Sequence, residues 1–261
     1  QMVDMPGQKI ISTHSPYIAS CVGFNEIRGL YKNTTTIQCG EFNVGLLSSD
    51  EQRKLKQKVI NTRGEIFFSK AIVLFEGETE EQALPILAEK HFGRPAYELG
   101  IDFIGVGGAG AYYPFILFAE TFNIPWYIFS DGEADPVTKM TDAVRKQKGA
   151  TFTTIQNEQN VFIIDNSEDF EKYVVRLNYL NDIINYIKSV ELPKCVNERH
   201  RQSKDAEISR THNNQYVLEK AKNNKTEWAL IFAFSIQQSQ QPLPHLVIQL
   251  FDKIKTDLHY V

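Results

Sequence analysis

Three cysteines, Cys21, Cys39 and Cys195, are all that 261 residues contain. Their odd number and scattered spacing argue against a disulfide framework, and no C-x-x-C pair exists to begin a zinc site. A reducing, cytoplasmic setting is expected. No run approaches the ~18 apolar residues of a membrane span. Met2 to Gly7 has neither the basic start nor the apolar core of a secretory signal. The chain has no surplus of positive charge: its formal net charge is -4. Nothing global announces a nucleic-acid binder, which leaves local basic patches as the only route to one. No G-x-x-x-x-G-K-[ST] occurs, so this chain is not expected to hold ATP alone. His91, His200, His212, His245 and His259 show no metal-ligand spacing, and no internal repeat or low-complexity tract stands out.

What is present is ordinary globular material, 42% hydrophobic and 23% charged, enough for one large or two smaller cores. Residues 1–65 mix short β-like pieces (Lys9 to Ser12, Glu26 to Tyr31, Thr34 to Cys39) with a charged helix over Ser49 to Val59. From Glu65 to about Val190 the pattern is regular. Strand-like runs at 71–75, 101–106, 126–130 and 161–164 alternate with helical stretches at 79–91, 111–122, 136–148 and 167–189. That alternation predicts an α/β fold with a parallel sheet covered on both faces. Leu192 to Asn214 reads as a polar, mobile connection. Helices are expected over Asn213 to Lys222 and Leu243 to Leu258.

Two strands end in acids. Trp126-Tyr-Ile-Phe129 runs into Asp131-Gly-Glu133-Ala-Asp135, and Ala71-Ile-Val-Leu-Phe75 runs into Glu76-Gly-Glu-Thr-Glu80. Carboxylates this close raise one another's pKa and destabilise a fold unless a cation sits among them. A hard divalent metal with oxygen ligands is the usual solution. The bland alternative is a polar turn, and the second acidic strand end weighs against it.

Gly105-Val-Gly107-Gly108-Ala-Gly110 satisfies G-x-G-x-x-G, follows a strand and opens a helix, and Asp131 lies 21 residues further on. A dinucleotide-binding Rossmann unit is therefore a competitor. Against it, the motif follows the second strand of the regular region rather than the first, and the acid is triplicated. A glycine turn at Gly107 and Gly108 that lets the backbone approach a metal-bound phosphate explains the same residues.

Taken together, F-E-G-x-T-E, the glycine turn and D-x-E-x-D resemble the Toprim domain of topoisomerases, primases and related nucleases, over roughly residues 66–190. That resemblance implies magnesium or manganese held by Glu76, Asp131 and Glu133, where Glu133 replaces a commoner aspartate. Ile-Ile-Ser-Thr-His14-Ser-Pro-Tyr resembles the switch-histidine segment of ABC-type ATPases. An ATPase ending that runs into a Toprim domain is similar to the OLD (overcoming lysogenization defect) nucleases, which include the nuclease subunit of Gabija-type antiphage systems. In that family a further acid follows the fourth strand in an L-E-x-x-L-like motif, which Phe170-Glu171-Lys-Tyr-Val174 resembles. A lysine then follows in a K-P-x-x-A-L-like motif, which Lys225-Thr-Glu-Trp-Ala-Leu230 resembles, with Thr for Pro.

The resemblance implies three regions: 1–65, the end of an ABC-type ATPase; 66–190, Toprim; and 191–261, a polar connection with a helical end. The chain is then expected to be a fragment of a longer protein. The expected function is a metal-dependent DNA endonuclease, with Glu76, Asp131 and Glu133 around one metal and Asp135, Glu80 and Glu171 around a second, about 4 Å away. Lys225 would neutralise charge building on the phosphate. ATP would act only in the full-length protein, through His14. DNA is the implied partner, with homo-oligomers through the ATPase region and a helicase as further candidates, and antiphage defence as the setting. A non-cleaving Toprim interaction module remains the other class, and a topoisomerase or primase lacks evident room for its extra domain. Basic clusters at Arg53 to Lys58, Arg145 to Lys148 and Arg199 to Arg210 suit duplex phosphates, and equally suit solvated helix faces.

Overall fold

The computed structural model describes residues 7, 9–33, 35–61, 64–108 and 111–260. Ala109 and Gly110 of the glycine motif lie outside that set, as do 1–6 and 8. The elements run α1 (Pro16–Ser20), β1 (Arg28–Asn33), β2 (Thr36–Glu41), α2 (Ser49–Asn61), β3 (Ala71–Phe75), α3 (Glu78–Phe92), β4 (Ile101–Gly105), α4 (Tyr112–Thr121), β5 (Trp126–Ser130), α5 (Ala134–Lys148) and β6 (Val161–Ile163). Six helices follow among the described residues and make the helical end: α6 (Phe170–Arg176), α7 (Leu180–Glu191), α8 (Glu198–Thr211), α9 (Asn214–Asn223), α10 (Lys225–Gln238) and α11 (His245–Asp257).

β3 to β6 form one parallel sheet in the order β4-β3-β5-β6. Successive strand residues point to opposite faces, and both faces are buried. Ala71, Val73, Phe75, Tyr127 and Phe129 enter a core with α3, α6, α7, α10 and α11. Ile72, Leu74, Trp126 and Ile128 enter a second core with α2, α4 and α5. This is the predicted α/β class. β1 and β2 form a separate antiparallel pair. It sits tightly on α4, because a Cβ at Gly40 would fall 2.1 Å from the Thr121 carbonyl oxygen.

Several sequence expectations are corrected. Lys9 to Ser12 forms no strand among the described residues. The helix expected over 167–189 is two, broken where Asn178 takes φ +66° before α7. Leu192 to Asn214 is not an unstructured connection: it holds α8, capped by the Asn197 side chain accepting from the His200 N–H. The helix α10, which the periodicity reading passed over, packs along α3 and α7 in the centre of the first core.

Candidate active site

Numbering within the sheet, the strand order is 2-1-3-4, so the chain switches direction between the first strand, β3, and the third, β5. Ligands in open α/β sheets bind in the crevice outside the carboxyl ends at such a point. Glu76 follows β3 directly and Asp131 follows β5 directly. The glycine loop instead follows β4, the edge strand. A dinucleotide with its pyrophosphate on that loop would therefore sit away from the switch point, and the strand order speaks against the Rossmann alternative.

Local packing explains both glycines inside the acidic motifs. A Cβ at Gly77 would lie 2.0 Å from Glu80 Oε2. The Gly77 backbone thus closes directly over the Glu80 carboxyl. A Cβ at Gly132 would lie 2.0 Å from the Ile164 carbonyl oxygen, and the Gly132 N–H donates to the Glu168 carbonyl at 2.8 Å. That pins the D-G-E turn to the loop after β6. α3, α4, α5 and α6 all begin at this end of the sheet, so their N-terminal partial charges offset part of the carboxylate repulsion.

Glu80 is only 3% exposed. Burial, then the charge of Asp131, holds its pKa well above the usual carboxylate range. Burial likewise pushes Asp131 up to about 7; the Glu80 hydrogen bond opposes this, while the charges of Glu171, Asp169 and Glu133 reinforce it. Glu76 is also raised, chiefly by burial; the nearby Tyr112 hydroxyl, acting as a donor, and then Lys139 pull it down, while Asp135 pushes it up. Glu171 accepts a 2.6 Å hydrogen bond from the Thr79 hydroxyl. Glu133 and Asp135 are exposed on the first turn of α5. Lys172 Nζ lies 3.8 Å from Glu133 and 2.7 Å from Asp169, and Lys139 bonds Asp135 at 2.6 Å.

Two side-chain oxygens of this acidic group, Glu76 Oε1 and Asp131 Oδ1, are buried without a hydrogen bond of ordinary geometry, as is the Tyr112 hydroxyl, which lies near Glu76 and Ser130 but makes no well-formed bond to either. Buried anionic oxygens without donors are the chemistry a divalent cation satisfies. The donor set therefore fits one, although no three His, Cys, Asp or Glu side chains among the described residues already stand in ligating arrangement. Thr79, Tyr112 and Asp169 were not singled out from the sequence. Thr79 lies inside F-E-G-x-T-E, and the N-cap pattern Asp169-x-x-Lys172 was open to reading. Tyr112 reads as one more apolar residue of the run Tyr112-Tyr-Pro-Phe-Ile-Leu-Phe118.

Gly107 and Gly108 take φ +78° and +114°, with nothing within 4 Å of an added Cβ. Their requirement is conformational rather than steric. Lys225 is exposed and opens α10. Its end of the molecule is set by Lys90, near the close of α3, which donates to the Ile236 and Ser239 carbonyls at the close of α10, both at 2.8 Å. The two helices thus run the same way, and Lys225 stands at the end where α3 and its acids begin. Among the described residues no hydrogen bond or ion pair joins it to them. His14 is exposed and lines a hollow of about 470 Å³ with Phe68, Ser69, Gly100 and Asp102, at the amino ends of the strands. It lies apart from the acids. In the basic clusters, Arg53 and Lys54 pair with Asp50, and Lys146 lies 3.6 Å over the Tyr113 ring.

Residues 67–132 match the family described as "Overcoming lysogenization defect protein-like, TOPRIM domain". Residues 1–65 match "Protein of unknown function (DUF2813)". The uncharacterized protein YbjD of Escherichia coli K12 is 25% identical over 132 residues, 49% of this chain and 23% of its own length. The match therefore spans less than a quarter of that relative. The C-terminal region of the Xanthomonas campestris pv. campestris OLD protein, phased with platinum, superposes with TM-score 0.54 at 23% identity, covering 75% of this chain and 97% of that one. The mercury-phased structure gives 0.52 at 20% identity, covering 74% and 98%. At that identity the likeness shows the fold. The chain carries an OLD-like TOPRIM domain, as its motifs implied. No helix among the described residues is long and apolar enough to cross a membrane.

Proposed function

We propose that this chain is the nuclease portion of an OLD-type protein and cleaves DNA phosphodiester bonds with Mg2+ or Mn2+. The observation that carries the reading is the pair of buried oxygens without a well-formed hydrogen bond, Glu76 Oε1 and Asp131 Oδ1, placed directly after neighbouring strands at the switch point. An OLD-like TOPRIM domain over 67–132 supports it. Glu76, Asp131 and Glu133 would hold a first ion, with Glu80, Asp135 and Glu171 available to a second. Held there, such ions would supply an activated water and charge neutralisation at the leaving oxygen. The protein's own part is to hold these carboxylates against their mutual repulsion, through Thr79 on Glu171 and the helix N-termini. Gly107 and Gly108 leave open backbone for a phosphate. Lys225 would supply a cation as charge builds on the phosphate.

By the same reading, residues 1–65 close an ABC-type ATPase with His14 as its switch, 66–190 are the Toprim domain and 191–261 the helical end. ATP binding, homo-oligomers through the ATPase region, a helicase partner and antiphage defence belong to the full-length protein. A second reading, a non-cleaving Toprim interaction module, draws on Lys139 and Lys172, which already pair with Asp135, Asp169 and Glu133. Titration calorimetry with Mn2+, alongside cleavage of supercoiled plasmid by the wild type and Asp131→Asn, decides between them. Metal binding with Asp131-dependent scission supports the nuclease; neither binding nor scission leaves the interaction module.

A further inference from the structure

We infer that Tyr112 is a positioning residue for the acid site, its buried hydroxyl being the donor that orients Glu76 against a bound divalent cation. The inference rests on the metal reading above. Tyr112 is the first residue of α4, directly beyond the glycine loop, and is 0% exposed. Its hydroxyl makes no hydrogen bond of ordinary geometry, and neither does Glu76 Oε1. The phenol nevertheless lies close enough to Glu76 and to the Ser130 hydroxyl for each to act on it as a poorly formed hydrogen-bond partner, and it feels the charges of Glu76 and Glu80.

A phenol offers one O–H donor, and an ionised carboxylate only accepts. Donor and acceptor are thus held close and buried, without a well-formed bond between them. A buried hydroxyl so poorly satisfied is unfavourable, so its retention at this spot points to a state in which the bond is well formed. A cation drawing one Glu76 oxygen outward would turn the carboxylate and present the other oxygen to the phenol. Outer partners of this kind fix the orientation of metal-binding carboxylates, and their loss typically weakens metal affinity about 10- to 100-fold.

The test is Tyr112→Phe, which removes one oxygen and keeps the ring, compared with wild type and Asp131→Asn by Mn2+ calorimetry and by melting with and without Mn2+. The expected result is an apo melting temperature equal to or above wild type, with Mn2+ affinity weaker by about 10- to 100-fold. Ultraviolet difference spectra should also show a buried-tyrosine perturbation on adding Mn2+ to the wild type that the Phe variant lacks. A lowered apo melting temperature would mean the hydroxyl already has a partner, and overturns the inference. Unchanged Mn2+ affinity in Tyr112→Phe, with affinity lost in Asp131→Asn, overturns it while leaving the metal reading intact. A wild type that binds no Mn2+ overturns both.

Discussion

The Thr79 hydroxyl donates to Glu171 Oε1 at 2.6 Å, joining the first turn of α3 to the first turn of α6 across 92 residues of chain. Thr79 is 3% exposed, so water offers no easy replacement. A buried hydrogen bond to a charged group contributes about 1.5–3 kcal/mol. Thr79→Val, which keeps the shape and removes the donor, should lower unfolding free energy by an amount of that order in urea denaturation. In the Glu171→Gln background the same change should do less, because the charge that strengthened the bond is gone. Equal losses in both backgrounds would show the two side chains to be uncoupled.

Acid titration gives a second expectation, with a definite sign. Asp131 is pushed up to about 7 and Glu80 is raised as well, both first by burial. In the unfolded chain both ionise near pH ~4. Between those limits the folded protein keeps protons that the unfolded chain has released, so stability falls as pH rises. The contribution is full below the unfolded pKa and is lost as pH climbs through the folded one. Without divalent metal, the melting temperature should therefore drop between about pH 5 and about pH 8, and Mn2+ should restore it at the alkaline end by binding the folded state. Asp131→Asn should flatten the metal-free profile. A wild-type profile that rises over this range would show that the site carries no buried carboxylate strain.

The glycines separate steric from conformational demand. At Gly132 an added Cβ meets the Ile164 backbone at 2.0 Å, which only movement of the loop after β6 can relieve. At Gly107 the space is open and only φ +78° opposes a side chain, a penalty of roughly 1–2 kcal/mol. Gly132→Ala should thus destabilise the fold more than Gly107→Ala, as read by melting temperature. Gly107→Val should depress plasmid cleavage while leaving Mn2+ affinity close to wild type. A Gly132→Ala protein as stable as wild type would mean the D-G-E turn is not pinned to the β6 loop.

The sheet was legible because each strand is a short apolar run ended by Gly or acids. Its direction followed from the helices between. The acids were legible because they fall directly after those runs, at Glu76 and Asp131. Other elements hid for physical reasons. α10 buries Trp228, Ala229, Phe232, Ala233 and Ile236, so it is apolar on more than one face and shows no clean amphipathic stripe. α8 is the opposite case: only Ile208 is buried, and a polar helix looks like a connection. The break at Asn178 is a single left-handed residue inside an otherwise helical run. Tyr112 escaped because its ring is core, and only the placement of its hydroxyl beside Glu76 gives it chemistry.

Lys225 is the test of how far the C-terminal helices belong to the chemistry. It opens α10, and the Lys90 bonds to the far end of α10 fix the direction of that helix along α3. Both helices therefore start at the acid end, which puts a lysine at the first residue of α10 on the side of the molecule where a phosphate would bind. Lys222 lies in the last turn of α9, also exposed, three residues away. It shares the charge and the neighbourhood without opening α10. Loss of one positioned group that stabilises transition-state charge typically costs ~2.7–4 kcal/mol, a factor of about 10² to 10³ in rate. Lys225→Ala should slow plasmid cleavage by about that factor, with Mn2+ affinity and melting temperature nearly unchanged, since an exposed lysine contributes little to stability. Lys222→Ala should cost far less. Equal, small effects from both would reduce Lys225 to ordinary surface charge and remove α10 from the catalytic end of the molecule.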